Sequence, residues 1–438
     1  MPDDVFPESF DPPEGSKVFV NVRIFNGKDA ELMEDAKVLV VDNMIKEIWK
    51  GEIKGDPDYT IIDGGGRVLM PGLMDMHTHL TLKRGIPAMR DQWDSWAGGA
   101  MASEALRDKY LAKGFTTIRD IGGSSLGLSR AVKAGVITGP RIYSAGAIIS
   151  GTSGHGDFSR VTEPIAGICC GAPSLSQQAE DAYLCDGPWD VLKAVRTNFK
   201  KGAAFIKMMC GGGVASDFDP LESMGLTLEE LKMGVEAAKD YGTYVAVHVY
   251  TDQGVNRAID AGVKCIEHGF LMEEDTVKRM ADEGIVFSWQ AYASIVVFAD
   301  ASKLAGFGAE QIRKSKKVYA NAKKIPGWLK KYGVKVIGGS DLFFYNTLDL
   351  LIDDLLVKQE WFSPVEILRM HTSTSGEVLA MSGLKNPYKE GPIGVIEEGA
   401  YADMLLVDGN PLEDLATLKD EANLRVIMKD GKIYKNTL

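Results

Sequence analysis

Residues that can bind or bridge metal ions follow short apolar runs at five separate places in the chain. They are His77 and His79, Lys207, His248, His268 and Asp341. Side chains at positions i and i+2 of a strand point to the same side, so His77 and His79 face one way. Only six histidines occur in the 438 residues, and four of them belong to this set. Imidazole and carboxylate groups bind zinc and the neighbouring divalent metals. The set therefore predicts a metal site whose ligands come from distant parts of the sequence.

Lys207 follows the apolar residues Phe205 and Ile206. Burial disfavours the charged ammonium form of a lysine, and the neutral amine is nucleophilic. Such an amine can add carbon dioxide to form a carbamate, an anionic ligand with two oxygens that can bridge two divalent ions. The alternative is a lysine that reaches the surface or pairs with a carboxylate.

Asp341 closes an apolar run through Gly338, Gly339 and Ser340, where small residues permit close approach of the backbone. One interpretation of Asp341 is an N-cap for the following segment. The other is catalytic: two adjacent cations lower the pKa of water and polarise a carbonyl, and Asp341 accepts the proton of the attacking water and passes it to the leaving amine. The second interpretation predicts metal-assisted hydrolysis of an amide.

The composition limits the partners. A formal net charge of −12 opposes binding to nucleic acid or to an anionic membrane, which leaves a small-molecule substrate as the expected partner. No run reaches the roughly 18 apolar residues of a membrane helix, and residues 1–17 lack a secretion signal. We therefore expect a cytoplasmic protein. Earlier removal of a signal peptide stays open as an alternative. Five cysteines predict no disulfide framework or Cys-type metal site, although one disulfide among Cys169, Cys170 and Cys185 stays open.

The alternation of apolar runs and helical segments predicts an α/β protein. Eight candidate strands occupy residues 68–77, 115–120, 141–146, 204–209, 243–250, 264–269, 285–290 and 334–341. Eight strands that alternate with helices indicate a (β/α)8 TIM barrel. A doubly wound sheet is less favoured, because the first strand ends in His-Thr-His rather than in a Gly-rich turn. The connections 80–114 and 147–203 are long, and we expect them over the active face or at subunit contacts.

Both ends of the chain carry a different pattern. β-Branched runs at residues 17–24 and 37–49 are matched only by runs at 402–409 and 426–434. These runs predict a small β-sandwich domain built from both termini. The expected domains are residues 1–67 and 386–438 for the composite β domain and 68–385 for the barrel.

Taken together, the motifs resemble those of the amidohydrolase superfamily, in the branch with a carbamylated lysine and two metals. The resemblance is carried by residues 68–79, 114–120, 267–269 and 339–341 together with Lys207 and His248. It implies that His77 and His79 bind the more buried metal and that His248 and His268 bind the more exposed one. Lys207 would bridge the two ions, and Asp341 would contact the buried ion and act as the base. Zinc is the first expectation, with manganese and cobalt open.

Residues 150–157 and 248–251 are similar to the imidazolonepropionase-like group, which contains prolidase-type dipeptidases, carboxypeptidases and ochratoxin-hydrolysing amidases. This resemblance implies release of a C-terminal amino acid from a dipeptide, an N-acyl amino acid or an ochratoxin-like aromatic amide. His155 and Tyr250 would contact the substrate, with His155 holding its carbonyl oxygen or carboxylate and so also serving catalysis. For Tyr250, packing within the strand is an equal alternative. The group implies a homo-oligomer, with an octamer among the options.

Two alternatives are weighed against this interpretation. A cyclic-amide hydrolase or a deaminase would share the fold, but deaminases of this fold usually lack the bridging lysine. A non-catalytic assembly protein would have lost metal ligands, and all six candidates are present. Aromatic residues favour a flat or bulky substrate or else pack the core: Trp93, Trp96, Trp289, Tyr292, Phe298, Phe343 and Phe344. Phe343 and Phe344 after Asp341, and His371, depart from the residues common in relatives, which leaves the shape of the pocket open.

Overall fold

The computed structural model describes residues 15–52, 59–83, 95–163, 172–216, 218–303, 307–342 and 344–438. Trp93, Phe343, Cys169 and Cys170 lie outside these ranges, and the side chain of Trp96 is not described. Cys185, Cys210 and Cys265 are buried free thiols. Among the described residues, no helix is long and apolar enough to cross a membrane.

The strands alternate with helices along most of the chain. The strands are β1 Lys17–Ile24, β2 Met33–Val41, β3 Met44–Lys50, β4 Thr60–Pro71, β5 Leu73–Thr78, β6 Phe115–Asp120, β7 Arg141–Ser144, β8 Ile148–Ser150, β9 Ala182–Leu184, β10 Ile206–Met209, β11 Val245–Thr251, β12 Cys265–Leu271, β13 Val286–Trp289, β14 Val336–Gly338, β15 Met404–Val407, β16 Leu424–Lys429 and β17 Lys432–Asn436. The helices are α1 Ser95–Ala105, α2 Leu126–Lys133, α3 Leu175–Gln178, α4 Pro188–Lys201, α5 Leu228–Asp240, α6 Asp252–Asp260, α7 Glu274–Asp282, α8 Ala309–Ala322, α9 Ile325–Tyr332, α10 Leu351–Val357, α11 Pro364–Met370 and α12 Ser373–Ala380.

The (β/α)8 barrel is confirmed, and each of the eight predicted segments contributes a strand. β5, β6 and β7 pair in parallel, as do β10, β11, β12, β13 and β14. Backbone hydrogen bonds continue past the strand ends: Asp341 N–H donates to the carbonyl of His77 at 2.9 Å, and Ala204 N–H donates to that of Ser144 at 2.9 Å. Polar side chains at the carboxyl ends of the strands therefore meet at one mouth.

Capping residues fix where the helices between the strands begin and end. Thr227 accepts a hydrogen bond from Glu230 N–H, and the Glu230 side chain bonds back, so α5 begins with a capping box. α4 begins at Pro188 and ends at Lys201, and Gly202, with a φ of 105°, caps its carboxyl end. Each barrel helix then buries one apolar face, such as Leu231, Ala237 and Ala238 of α5.

Two short strands lie within the long connection at residues 147–203. β8 pairs with β10 through Ile149 and Met208, and β9 pairs with β8. Each of these strands has only three residues, which is too few for a period-2 pattern to show. This is why the sequence pattern did not indicate them.

The predicted first barrel strand, 68–77, is in fact two strands separated by Gly72. A Cβ atom at Gly72 would lie 2.0 Å from Thr116 Oγ1, so only glycine permits this close approach to β6. On one side β4 pairs with β1 and β15, and on the other β5 belongs to the barrel. The apolar run conceals the change from one sheet to the other.

The small β domain built from both termini is also confirmed. Its seven strands follow the order β17-β16-β15-β4-β1-β2-β3 in one hydrogen-bonded sheet. Ile45 near one edge and Met428 near the other share a core with Val38 and Met404. Because both ends of the sheet line one core, the sheet wraps around it as the layers of a sandwich do. The boundaries at 67/68 and 385/386 remain a proposal, and β4 crosses the first of them.

Candidate metal centre

His77 and His79 end the first barrel strand with their Nε2 atoms near one carboxylate. His77 Nε2 lies 3.4 Å and His79 Nε2 lies 3.9 Å from Asp341 Oδ1. The other nitrogen of each ring is anchored, with His77 Nδ1 2.8 Å from Glu267 Oε2 and His79 Nδ1 2.8 Å from the carbonyl oxygen of Gly122. Such bonds to Nδ1 hold an imidazole so that Nε2 can bind a metal.

Asp341 is held in an unusual conformation. Its φ is 53°, in a region that non-glycine residues rarely occupy and that often marks functional sites. Its buried Oδ1 has no hydrogen-bond partner among the described residues. Burial raises the pKa of the Asp341 carboxyl well above its ordinary value. A buried carboxylate oxygen without a donor is costly, and a cation at this point would satisfy it.

His248 and His268 come from the neighbouring strands β11 and β12. The ring centroids of His268 lie 4.6 Å from His248 and 5.0 Å from His77. Side-chain atoms of His77, His268 and Asp341 that could bind a metal all lie within 4.8 Å of one another. Burial lowers the pKa of His248 and His268 well below the ordinary value, and that of His77 to about 4. The imidazoles are therefore neutral at pH 7, which is the form that binds metals.

Lys207 lies on β10 and is only 1% exposed. Burial lowers its pKa to about 8, although Glu267 and Asp341 act in the opposite direction. No residue in the described ranges forms a hydrogen bond or ion pair with its Nζ. A buried amine without a close partner gives up its proton readily, as carbamate formation requires.

The structure adds Glu267 and Arg119 to the site. Besides His77, Glu267 contacts Arg119, whose Nη2 donates to Oε1 at 2.5 Å, while Arg119 Nε donates to the carbonyl of Met76 at 2.6 Å. Burial alone would raise the Glu267 pKa, but Arg119 and His77 hold it well below the ordinary value. The ion pair of Glu267 and Arg119 therefore holds the Nδ1 side of the His77 ring in place.

The alternation of side chains along a regular strand did not predict Glu267 as part of the site. Adjacent residues in a regular strand point to opposite sides, so Glu267 and His268 should not share the barrel interior. His268 has a φ of 73°, which breaks the alternation. Both side chains then approach His77, Glu267 by hydrogen bond and His268 by ring contact. The only sequence feature that indicated Glu267 was its position beside His268, and the alternation of a regular strand argued against it.

Asp75 ties the ends of the first and last barrel strands together. Its Oδ1 accepts from Ser340 N–H at 2.8 Å, and its Oδ2 accepts from Ser340 Oγ–H at 2.6 Å. Burial raises the pKa of Asp75 to about 6. Because Ser340 precedes Asp341 and Asp75 precedes His77 by two residues, this contact sets the distance between the two candidate ligands.

The two predicted substrate contacts lie beside the histidines. The His155 ring stacks on His248 with centroids 4.0 Å apart, and the Tyr250 ring stacks on His268 with centroids 5.1 Å apart. Trp289, in contrast, is fully buried and packs against Trp361 and Phe362, so it belongs to the core. The structure thus places His155 and Tyr250 on the side of His248 and His268.

The donor set suits divalent metals with nitrogen and oxygen ligands. Four imidazoles, one carboxylate and one amine converge, and the nearby thiol of Cys265 contacts Arg119 and Glu267 instead. The unpaired Asp341 Oδ1 fits a cation directly. Such nitrogen and oxygen sites bind zinc, manganese or cobalt.

Residues 68–434 match the amidohydrolase family, and the protein belongs to that family. The chain is therefore a hydrolase, and its relatives support action on an amide or peptide bond. Ochratoxinase of Aspergillus niger is 29% identical over 386 residues, which cover 84% of this chain and 76% of the relative. A prolidase in complex with N-methylphosphonate-L-proline is 30% identical with a TM-score of 0.86, covering 96% of this chain and 100% of the other. A Xaa-Pro dipeptidase with bound methionine is 28% identical with a TM-score of 0.81 and the same coverage.

Replacement of Glu267 tests the support behind His77. We expect Glu267→Gln to weaken zinc binding about 10- to 100-fold, because His77 loses the charged acceptor that orients it. Competition with a chromophoric chelator measures this change. The control is Glu274→Gln, an exposed glutamate paired with Lys331 that should leave zinc affinity unaltered. Equal affinities of Glu267→Gln and the wild type would show that the bond to His77 does not serve the metal site.

Proposed function

We propose that this protein is an amidohydrolase with two divalent metal ions that releases a C-terminal amino acid. The substrate would be a dipeptide, an N-acyl amino acid or an ochratoxin-like aromatic amide. The observation that carries this proposal is the position of Asp341 Oδ1. This oxygen is buried, has no hydrogen-bond partner among the described residues and lies within 3.9 Å of two imidazole nitrogens. A carboxylate held there can accept a proton and contact a cation at once.

The six candidate ligands divide into two groups around Lys207. His77 and His79 with Asp341 would hold one ion, and His248 with His268 the other. Lys207, as a carbamate formed with carbon dioxide, would bridge them: the neutral amine adds to the carbon of carbon dioxide, and one proton is released. Zinc is the proposed metal, because its preferred ligands match the set.

The protein's own residues then carry the proton and orient the substrate. When bound, the ions supply a water of lowered pKa and polarise the carbonyl. Asp341 takes the proton of the attacking water and delivers it to the nitrogen of the leaving amine. His155 holds the carbonyl oxygen or the carboxylate of the substrate, and Tyr250 contacts it beside His268. Uptake of that proton allows the amine to leave as a neutral group.

The relatives support the choice of substrate class. Ochratoxinase, prolidase and Xaa-Pro dipeptidase are the names of proteins that this chain matches over most of its length. The ligand of the prolidase, N-methylphosphonate-L-proline, contains an L-proline unit, and proline is an amino acid with a carboxylate. We extend this feature to the present protein as a requirement for a carboxylate on the leaving amino acid.

A substrate panel tests the proposal. Purified protein loaded with zinc is offered N-acyl amino acids, dipeptides, ochratoxin-like amides and the same compounds as carboxamides, and amino acid release is measured by chromatography. We expect release from at least one free-acid class and little from its carboxamide. No amino acid release from any member of the panel would replace the proposal by the cyclic-amide or deaminase alternative.

Removal of metal should abolish the activity reversibly. After chelation, we expect turnover to fall to background and zinc to restore it, because the ions supply the water of lowered pKa. Circular dichroism before and after chelation checks that the fold is retained. Full turnover in protein shown to be metal-free by elemental analysis would contradict metal dependence.

The predicted homo-oligomer stays part of the proposal. Val161 and Trp189, both in the connection 147–203, are 83% and 75% exposed. Tryptophan is enriched at contacts between protein chains, so Trp189 is the first candidate for such a contact. Sedimentation of the full chain should give an oligomer, and Trp189→Glu should shift it toward smaller species. A monomer in the wild type would contradict this part.

A further inference from the structure

The turn after β10 brings a carboxylate to the back of the His155 ring. In this turn, of which residues 211–216 and 218–219 are described, Asp219 Oδ2 lies 3.3 Å from His155 Nδ1, and Ser216 Oγ lies 2.7 Å from the same nitrogen. On its other side the ring stacks on His248, with an interplanar angle of 22°. Nδ1 is thus occupied, and Nε2 is the ring nitrogen left for a substrate.

The turn leaves little room for the ring to move. A Cβ atom at Gly213 would lie 2.1 Å from the His155 ring, so the backbone of the turn contacts the imidazole directly. The carbonyl of Gly212 lies 3.3 Å from His248 Nε2. The same turn therefore contacts the candidate metal ligand and the candidate substrate contact.

Asp219 is built into the turn as a carboxylate. It is 2% exposed, and its Oδ2 accepts a hydrogen bond from Gly213 N–H at 2.6 Å. Burial alone would raise the pKa of Asp219, but its bonds to His155, Ser216 and Gly213 lower it below the ordinary value. His155 Nδ1 is hydrogen-bonded to Ser216 Oγ with the Asp219 carboxylate 3.3 Å away, which leaves Nε2 to face an oxygen of the substrate.

A buried lysine from a helix distant in sequence holds this turn in place. Lys314 of α8 is 1% exposed, and its Nζ donates to the carbonyls of Gly213 at 2.9 Å, Ser216 at 3.0 Å and Asp219 at 2.7 Å. All three ammonium protons are used on one turn. Loss of the lysine would leave three carbonyls to find other donors, which is costly in a buried position.

We propose that Asp219 is a positioning residue that fixes the His155 imidazole beside the metal centre, and that Lys314 holds the turn from which Asp219 acts. This inference rests on the proposed function, because it assigns a purpose to the substrate contact of His155. It predicts that Asp219 and Lys314 govern substrate binding through His155, although neither touches the substrate.

A double-mutant cycle measures this coupling. We expect Asp219→Ala to raise KM for a free-acid substrate about 10-fold or more with little change in kcat, as for a lost bond to a charged group that serves binding. His155→Gln should raise KM similarly, and Asp219→Ala should add nothing in that background. Asp219→Asn keeps an acceptor and should recover part of the loss. Additive effects in the double variant would overturn the proposal.

Matched controls are available on the same elements. Glu222→Gln changes an exposed acid three residues beyond Asp219, and Lys317→Met changes an exposed lysine on α8; the two pair with each other. Neither should alter KM, whereas Lys314→Met should raise it with zinc content unchanged. If Lys314→Met and Lys317→Met behave alike, Lys314 has no special role.

A crystal structure of Asp219→Ala gives a readout that does not need a substrate. We expect the His155 ring to leave its stack on His248, and we expect the ring to remain in Asp219→Asn and Glu222→Gln. An unmoved ring in Asp219→Ala would refute the positioning role even if the enzyme is active. Conversely, a displaced ring in a protein that hydrolyses no member of the panel would uphold the positioning and reject the proposed function.

Discussion

Asp341→Asn should lower kcat by about 100-fold or more while zinc stays largely bound. The asparagine keeps an oxygen that can contact a cation but cannot accept a proton, and general acid–base groups contribute about 10²–10⁴-fold. Turnover of a substrate identified by the panel and zinc content by elemental analysis are measured on the same samples. The structural basis is the unpaired Oδ1 of Asp341 near His77 and His79.

The matched control is Asp181→Asn. Asp181 is fully buried, has one buried carboxylate oxygen without a hydrogen-bond partner as Asp341 does, and has its pKa raised by burial to about 7. It lies outside the candidate ligand set and accepts hydrogen bonds from Thr81 and Ser124. The control should keep turnover within about threefold, since a hydrogen-bonding carboxamide replaces it at equal volume. Undiminished turnover in Asp341→Asn would reject Asp341 as the base.

Lys207→Ala should remove both zinc and turnover. Without the amine no carbamate can form, and the remaining neutral imidazoles and Asp341 offer a single negative charge to two divalent ions. Metal ions contribute several kcal/mol to such reactions and about 1.4 kcal/mol corresponds to tenfold, so we expect a loss of about 10³-fold or more. Elemental analysis and turnover measure the two effects.

A second buried lysine separates this effect from loss of stability. Lys429 on β16 is 6% exposed, and burial lowers its pKa to about 8, as for Lys207. It lies in the terminal β domain, so Lys429→Met should keep two zinc ions per chain even if its melting temperature falls. If Lys207→Ala keeps its zinc and its turnover, the bridging carbamate is wrong.

The period-2 pattern was sufficient for the first barrel strand but not for β12. His77 and His79 face the same side as a regular strand requires, and both approach Asp341. Glu267 and His268 share the interior only because His268 adopts a φ of 73°. Such a departure depends on the packing of the whole barrel, and a local pattern cannot predict it.

The limits of the fold prediction have equally local causes. β4 and β5 are one apolar run in sequence, and only the approach of Gly72 to Thr116 separates them. Asp219 and Lys314 are ordinary charged residues in sequence, and they are 95 positions apart. Their roles arise because α8 crosses to the turn after β10, where three carbonyls meet one ammonium group. Contacts of this kind follow from the assembled barrel.

The claim at the centre of this account is that six side chains jointly hold two divalent ions. An anomalous-difference map of zinc-loaded crystals, recorded above and below the zinc edge, tests it most directly. The account predicts two peaks, one contacted by His77, His79 and Asp341 and the other by His248 and His268, with density for a carbamate on Lys207 between them. A single peak, or zinc bound away from Asp341 and Lys207, would contradict it.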